Sequence, residues 1–392
     1  MTRPLTGLER FALDPSKWVG ANRNAGLLYN SASLDSKFAS ARDVVAKCLG
    51  GRLKTLFGPQ HGVNSDVQDN MIETGHATDH VTGLPVWSLY SRDRKPTRKM
   101  LRGLDLLLVD LTDVGTRVYT FIWTLRLAME ACGEAGIKVV VLDRPNPIGG
   151  NSVEGNLLSP EFSSFVGLEP IPMRHGMTVG ELARWFVESG RVKCELEVLP
   201  VKGWKRGELF PRTGLPWAPP SPNMPLFETA LVYPGMVLLE GTNASEGRGT
   251  TRPFETVGVP WGKPEELARE LNALALPGVH FRPLVFMPTF HKWAGRAVNG
   301  VFLQVTAPDF FRPYKTGLAL LSTLWRLYAD EGFAWRSPPY EYEEKELPIH
   351  LLLGSRVLRE RIEKGVATEE MEADWMPELD HWQKERKACL LY

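Results

Sequence analysis

Cysteine is scarce in this chain. Its four residues, Cys48, Cys132, Cys194 and Cys389, are scattered with no C-x-x-C pair among them. That excludes a zinc-ribbon spacing and a disulfide frame, so they read as reduced or buried thiols. Net charge is lacking too. Lys+Arg and Asp+Glu are both 46, which leaves no electrostatic footprint for nucleic acid or an anionic membrane. No run of about 18 apolar residues occurs, so no membrane span is expected. The N-terminal MTRPLTGLERFALDP lacks the continuous apolar stretch of a secretory signal, and a cytoplasmic location is the expectation. The spacings G-x-G-x-x-G, G-x-x-x-x-G-K-[ST] and G-x-S-x-G are absent, which removes the signatures of dinucleotide, P-loop and α/β-hydrolase sites. H-E-x-x-H is absent as well and the eight histidines are spread out, so neither a catalytic metal nor a cofactor is expected.

At 392 residues the chain is too long for one ordinary core. Its first half alternates strand and helix. Apolar runs at Asn24–Tyr29, Leu53–Phe57, Val86–Tyr90, Leu104–Leu111 and Ile137–Leu142 are separated by helical spacing at Asp35–Leu49 and Tyr119–Ala135. LDLLLVDL is apolar at its centre without alternation, as a strand covered on both faces must be. The pattern predicts an α/β fold with a parallel sheet in which 53–57, 105–111 and 137–142 are neighbours. Thr178 and Glu181 form a capping pattern ahead of a further helix. LPWAPPSPNMP at Leu215–Pro225 is too proline-rich for a helix interior or a central strand. Beyond Trp261 the reading is a smaller α+β domain, with strands at Val279–Met287 and Val298–Val305 and charge-rich helices to the end. The boundary is placed at 1–261 and 262–392.

Ligands of an open parallel sheet bind outside the carboxyl ends of its strands. Three polar loops fall at such ends: Gly58–Gly62, which holds Gln60 and His61; Asp113–Arg117; and Asp143–Pro147, which holds Arg144. Each has a bland reading as well. A turn histidine is commonly a structural hydrogen bonder, Asp113 can cap the helix that follows, and Arg144 can brace its own turn. Arg174 and His175 precede a helix start, where free amides favour anions. The longest polar stretch is Glu240–Trp261, EGTNASEGRGTTRPFETVGVPW. It carries Glu240, Glu246 and Glu255 among Asn243, Arg248 and Arg252 and shows neither helical nor strand periodicity. Its carboxylates and arginines can pair in fixed geometry.

FGPQHG, TGLPVWSLY, D-V-G-x-R-x-Y-T at Asp113–Thr120, VLDRPNPIGG, RHGMTVGELA, PSPNMP and EGTNASEGRGTTRPFE occur in one order along the chain. On these motifs the sequence resembles the exo-β-N-acetylmuramidase (NamZ-type) family, formerly a domain family of unknown function. The resemblance implies a Rossmann-like N-terminal domain, a smaller C-terminal domain and a cleft between them. It also implies a glycoside hydrolase that removes terminal N-acetylmuramic acid from the non-reducing end of peptidoglycan fragments, with a sugar or muropeptide as partner. Many relatives read FGPEHG, and Gln60 cannot transfer a proton as that glutamate could.

Glycoside hydrolysis needs two carboxyl groups held in different protonation states. The candidates for the acid are Glu73 and Glu246, with Asp66 and Asp69 on the same loop as Glu73; those for the base or stabiliser are Asp113 and Glu240. Gln60, His61, His175, Asn223 and Asn243 are candidates for binding hydroxyls or the N-acetyl group, and Arg117, Arg144, Arg174 and Arg248 for the lactyl carboxylate. Two other classes stay open: a carbohydrate-binding protein without catalysis, which Gln60 favours, and a metal-assisted hydrolase.

Overall fold

The computed structural model describes residues 3–68 and 71–392. Its main sheet has seven strands: β1 (Ala25–Tyr29), β2 (Leu53–Gly58), β3 (Ala77–Thr78), β4 (Pro85–Ser88), β5 (Leu106–Asp110), β6 (Lys138–Leu142) and, after the small antiparallel pair β7 (Glu154–Leu157) and β8 (Pro172–Arg174), β9 (Leu196–Leu199). The order is β3-β4-β2-β1-β5-β6-β9, parallel throughout except for the antiparallel edge strand β3. Without that edge strand the order is the doubly wound Rossmann order, with its reversal between β1 and β5.

Both faces are covered, which is why the strands lack polar alternation. Leu106, Leu108, Val140 and Leu142 pack to one side with Leu8, Phe11, Val45 and Leu49 from the helices Gly7–Leu13 and Ala41–Leu49. Leu107, Val109, Val139 and Val141 pack to the other with Trp123, Leu125, Leu182 and Trp185 from Phe121–Ala135 and Val179–Glu188. The capping box of Thr178 and Glu181 forms as the sequence predicts. The strands 53–58, 106–110 and 138–142 share one parallel sheet, but only the last two are adjacent; β1 lies between β5 and β2.

A second, antiparallel sheet follows in the order β10 (Thr256–Val259), β12 (Val298–Val305), β11 (Val279–Phe286). The stretch opening at Glu240 therefore contains a buried strand, and that strand hydrogen-bonds across the Trp261 position to partners downstream. The buried helix Phe227–Met236 packs on Pro313–Tyr328. Gly235 and Gly317 allow the contact, since a Cβ on either would strike backbone of the opposite helix. One apolar core runs from the sheet face through these helices. Arg117 ties the two parts together. Its buried guanidinium donates to the carbonyls of Asn156, Ile171, Leu352 and Leu353.

Candidate functional site

The switch point between β1 and β5 is occupied by protein. Asn30, Ser31 and Ser65 donate side-chain hydrogen bonds to the carbonyls of Pro219 and Pro220, so the proline-rich loop is laid across the strand ends. Arg144 is held beside it by a two-pronged contact to Asp110, Nε to Oδ1 at 2.5 Å and Nη2 to Oδ2 at 2.8 Å.

The polar pocket lies instead beyond β2. The strand ends at Gly58 and the chain turns sharply, with His61 at φ 69° and Gly62 at φ 75°. The His61 Nδ1–H donates to the Val67 carbonyl at 2.7 Å. The turn points Gln60 inward. Gln60 Oε1 accepts from Thr120 Oγ1 at 2.6 Å, and Gln60 Nε2 donates to Glu341 Oε1 at 3.2 Å. Glu341 arrives from the C-terminal part on a tight turn. Tyr340 and Glu343 exchange backbone hydrogen bonds, and Glu341 and Tyr342 take φ of 45° and 70° between them. Two successive non-glycine residues in the left-handed region are costly, and such strain gathers at functional positions. Glu341 is 4 % exposed, and its Oε2 accepts from Tyr90 Oη at 2.7 Å. Burial pushes Glu341 up to about 7; the hydrogen bonds from Tyr90 and Gln60 oppose the rise and the charge of Glu240 adds to it.

Glu240 closes the other side of the pocket, accepting from Arg248 Nη2 and Tyr340 Oη, each at 2.6 Å. Behind it Glu246 is fully buried. It meets Lys292 Nζ at 2.8 Å, His291 Nδ1 at 3.2 Å and Arg248 Nε at 3.4 Å. Burial alone would raise the Glu246 carboxyl, but the charges of Lys292 and Arg248 and the contact with His291 outweigh it and hold it well below the usual carboxylate range. Gly247 and Gly249, at φ 79° and 81°, let the loop turn back between β10 and Phe290; a Cβ would strike Thr256 at the first and the Phe290 backbone at the second.

Gln60, His61, Asn223, Glu240 and Arg248 thus line one pocket with Tyr119, Tyr340 and Glu341. The other candidates do not converge there. Glu73 is exposed and, among the described residues, meets the neighbourhood through Tyr342, whose Oη lies 3.4 Å from its Oε1. Asp66 is exposed, and Asp69 lies outside the described residues. Asp113 accepts from the Gly115 amide at 2.7 Å, turning its own loop, with His175 Nε2 at 3.7 Å; His175 is fully buried. Arg117 and Arg144 are committed as described. Arg174 pairs with Glu154 at 2.8 Å and with the Ile148 carbonyl. Asn243 bonds to the backbone of Gly332 and Ala334. Arg117, Arg144 and Arg174, expected to meet a substrate carboxylate, are brackets of the fold, paired with backbone carbonyls or a carboxylate, whereas Arg248 lines the pocket. Among the described residues no group of three or more His, Cys, Asp or Glu side chains is placed to hold a metal ion, and no helix is long and apolar enough to cross a membrane.

The profile of exo-β-N-acetylmuramidase NamZ matches in both its parts, the N-terminal over residues 25–228 and the C-terminal over 231–392. The peptidoglycan β-N-acetylmuramidase NamZ of Bacillus subtilis (strain 168) is 44% identical over 387 residues, covering 99% of this chain and 91% of that protein. Two crystal structures of DUF1343 family proteins from Bacteroides fragilis NCTC 9343 share the fold. One has a TM-score of 0.90 at 33% identity, with both chains covered completely. The other has a TM-score of 0.76 at 26% identity, covering 100% of this chain and 99% of that one.

Proposed function

The chain belongs to the NamZ exo-β-N-acetylmuramidase family and is a glycoside hydrolase of peptidoglycan; from that premise we propose that it releases terminal N-acetylmuramic acid from the non-reducing end of peptidoglycan fragments, with Glu341 as general acid and Glu240 as its carboxylate partner. The observation that carries this reading is the contact of Glu341 with Gln60, at 3.2 Å. The family resemblance implies a glutamate where Gln60 stands, and a carboxyl from the other end of the chain reaches the same spot. With its pKa pushed up to about 7, Glu341 holds a proton for a substantial part of the time near neutrality and can still release it, which suits a general acid.

In this reading Glu341 gives its proton to the glycosidic oxygen as the bond from C1 breaks. The Glu240 carboxylate, oriented by Arg248 and Tyr340, stabilises the positive charge that grows on the sugar ring. Water adds to C1, and the proton it gives up returns to the carboxylate pair. Gln60 orients the acid without competing for its proton. Glu73 remains the other candidate acid; it is exposed and does not line the pocket that holds Glu240 and Glu341. A chromogenic N-acetylmuramide tests the proposal: the wild-type chain turns it over and Glu341→Gln loses about 10²–10⁴ in rate. A wild-type chain that binds the sugar and never cleaves it, while Gln60→Glu does, would make this member a binding protein on an enzyme's scaffold.

A further inference from the structure

The muramidase reading needs a cation for the lactyl carboxylate, and each of the sequence's four arginine candidates already has protein partners. Arg117 is spent on carbonyls, Arg144 on Asp110, Arg174 on Glu154, and Arg248 on Glu240 and Glu246. A different cation borders the site. An open groove is lined by Thr242, Asn243, His291, Lys292, Trp293 and Arg336, with no acidic side chain among these residues. It adjoins the pocket through two shared segments. Thr242 lies two residues beyond Glu240, and the Arg336 guanidinium sits 5.9 Å from the ring of Tyr340, whose hydroxyl holds Glu240.

The groove wall is tightly specified. His291 and Trp293 both take left-handed backbone, φ 67° and 62°, on either side of Lys292. That geometry turns the Lys292 ammonium inward, onto the carbonyls of Leu239 and Ala244 and the carboxylate of Glu246. The Trp293 indole N–H donates to the Asn243 carbonyl at 2.6 Å. Lys292 is thereby consumed. Arg336 is not: it is half-buried, its backbone N–H donates to the Gly241 carbonyl, and its guanidinium forms no ion pair among the described residues. A fork-shaped cation beside a site for an acidic sugar, with no carboxylate of its own, matches a carboxylate ligand in shape and charge.

We propose that this groove is the subsite for the carboxylate of the substrate and that Arg336 is its ligand, a reading that rests on the muramidase function proposed above. Arg336 then determines specificity, by distinguishing a muramoyl sugar from the same sugar with a neutral group in place of the acid.

The test is calorimetric titration with methyl N-acetyl-β-muramide and with its lactyl carboxamide, which is the same size and uncharged. Wild type prefers the acid by about ten- to a hundredfold, the range of a charged hydrogen bond. Arg336→Ala binds both alike, and Arg336→Lys recovers part of the preference. Unchanged thermal melting of the variants shows that the fold is intact. A wild-type chain indifferent to the carboxylate, or an Arg336→Ala variant that keeps the preference, overturns the assignment. The binding readout stands apart from catalysis. Preference lost in Arg336→Ala by a protein that never cleaves a chromogenic muramide upholds the subsite and defeats the proposed activity; cleavage by wild type with preference retained in Arg336→Ala does the reverse.

Discussion

Glu246 and Glu341 are both buried carboxyl groups within one neighbourhood, and their surroundings drive them in opposite directions. Glu246 is ringed by Lys292, His291 and Arg248 and is held well below the usual range despite full burial. Glu341 receives neutral donors, the Tyr90 hydroxyl and the Gln60 amide, and burial pushes it up to about 7. Burial penalises the charge of both; the presence or absence of a cation at hydrogen-bond distance decides which keeps its proton. A carboxylate saturated by cations anchors a loop. One satisfied only by neutral donors can exchange a proton. The sequence offers no such distinction, since both are glutamates in polar stretches.

The largest effects fall on the pair that lines the pocket. Glu240→Gln removes the carboxylate that Arg248 and Tyr340 orient, and turnover falls by about 10²–10⁴ in a chromogenic muramide assay; a loss below about tenfold would assign the stabilising charge elsewhere. Next, Lys292→Met leaves Glu246 with less compensation in a dry site. It costs about 3 kcal/mol, the lower end for breaking a buried pair because His291 and Arg248 remain, read from the shift in urea midpoint. An unchanged midpoint would show that the cation ring does not hold the loop.

The Glu341 side of the comparison has a pH signature. Activity falls as pH rises through about 7, where Glu341 loses its proton. Stability follows the same sign. Between the ordinary glutamate pKa, about 4.3, and about 7 the native state binds more protons at Glu341 than the unfolded chain does, so stability drops as pH rises through that window. Tyr90→Phe removes a hydrogen bond that opposes the upward shift, and the alkaline limb of the rate profile moves to higher pH. A limb that stays in place would detach it from Glu341. The smallest effect is expected at Glu73, where exposure and a single 3.4 Å contact from Tyr342 predict that Glu73→Gln changes turnover by less than about threefold, against the 10²–10⁴ of a positioned acid.

Much of the fold was legible. LDLLLVDL had to be a strand covered on both faces, and Leu106 to Asp110 is one. The adjacency of β1 to β5 was not, because apolar runs carry no information about strand order beyond the tendency of successive elements to neighbour one another. For the site, Gln60, His61, Asn223, Glu240 and Arg248 do share a pocket. Arg117, Arg144 and Arg174 lie away from that pocket, since a guanidinium near a strand end has the same sequence signature whether it meets a substrate or four carbonyls, as Arg117 does. Glu341 left almost no trace. It opens the run Glu341–Glu346, whose four glutamates and a lysine have the composition of a solvated turn. Only the return of the chain across the end of β2 buries the first of them. The one local hint is the tyrosines on either side, which supply aromatic cover to a group that would otherwise seek water.

Leaving-group dependence separates proton donation by Glu341 from any other role of that carboxyl. A general acid is needed most when the departing alcohol is a poor leaving group and hardly at all when it leaves readily as an anion. Glu341→Gln is expected to lose about 10²–10⁴ in rate on an N-acetylmuramic acid–N-acetylglucosamine disaccharide and to retain near wild-type rate on the 2,4-dinitrophenyl muramide. Equal losses on the two substrates, or full activity on the disaccharide, would contradict it.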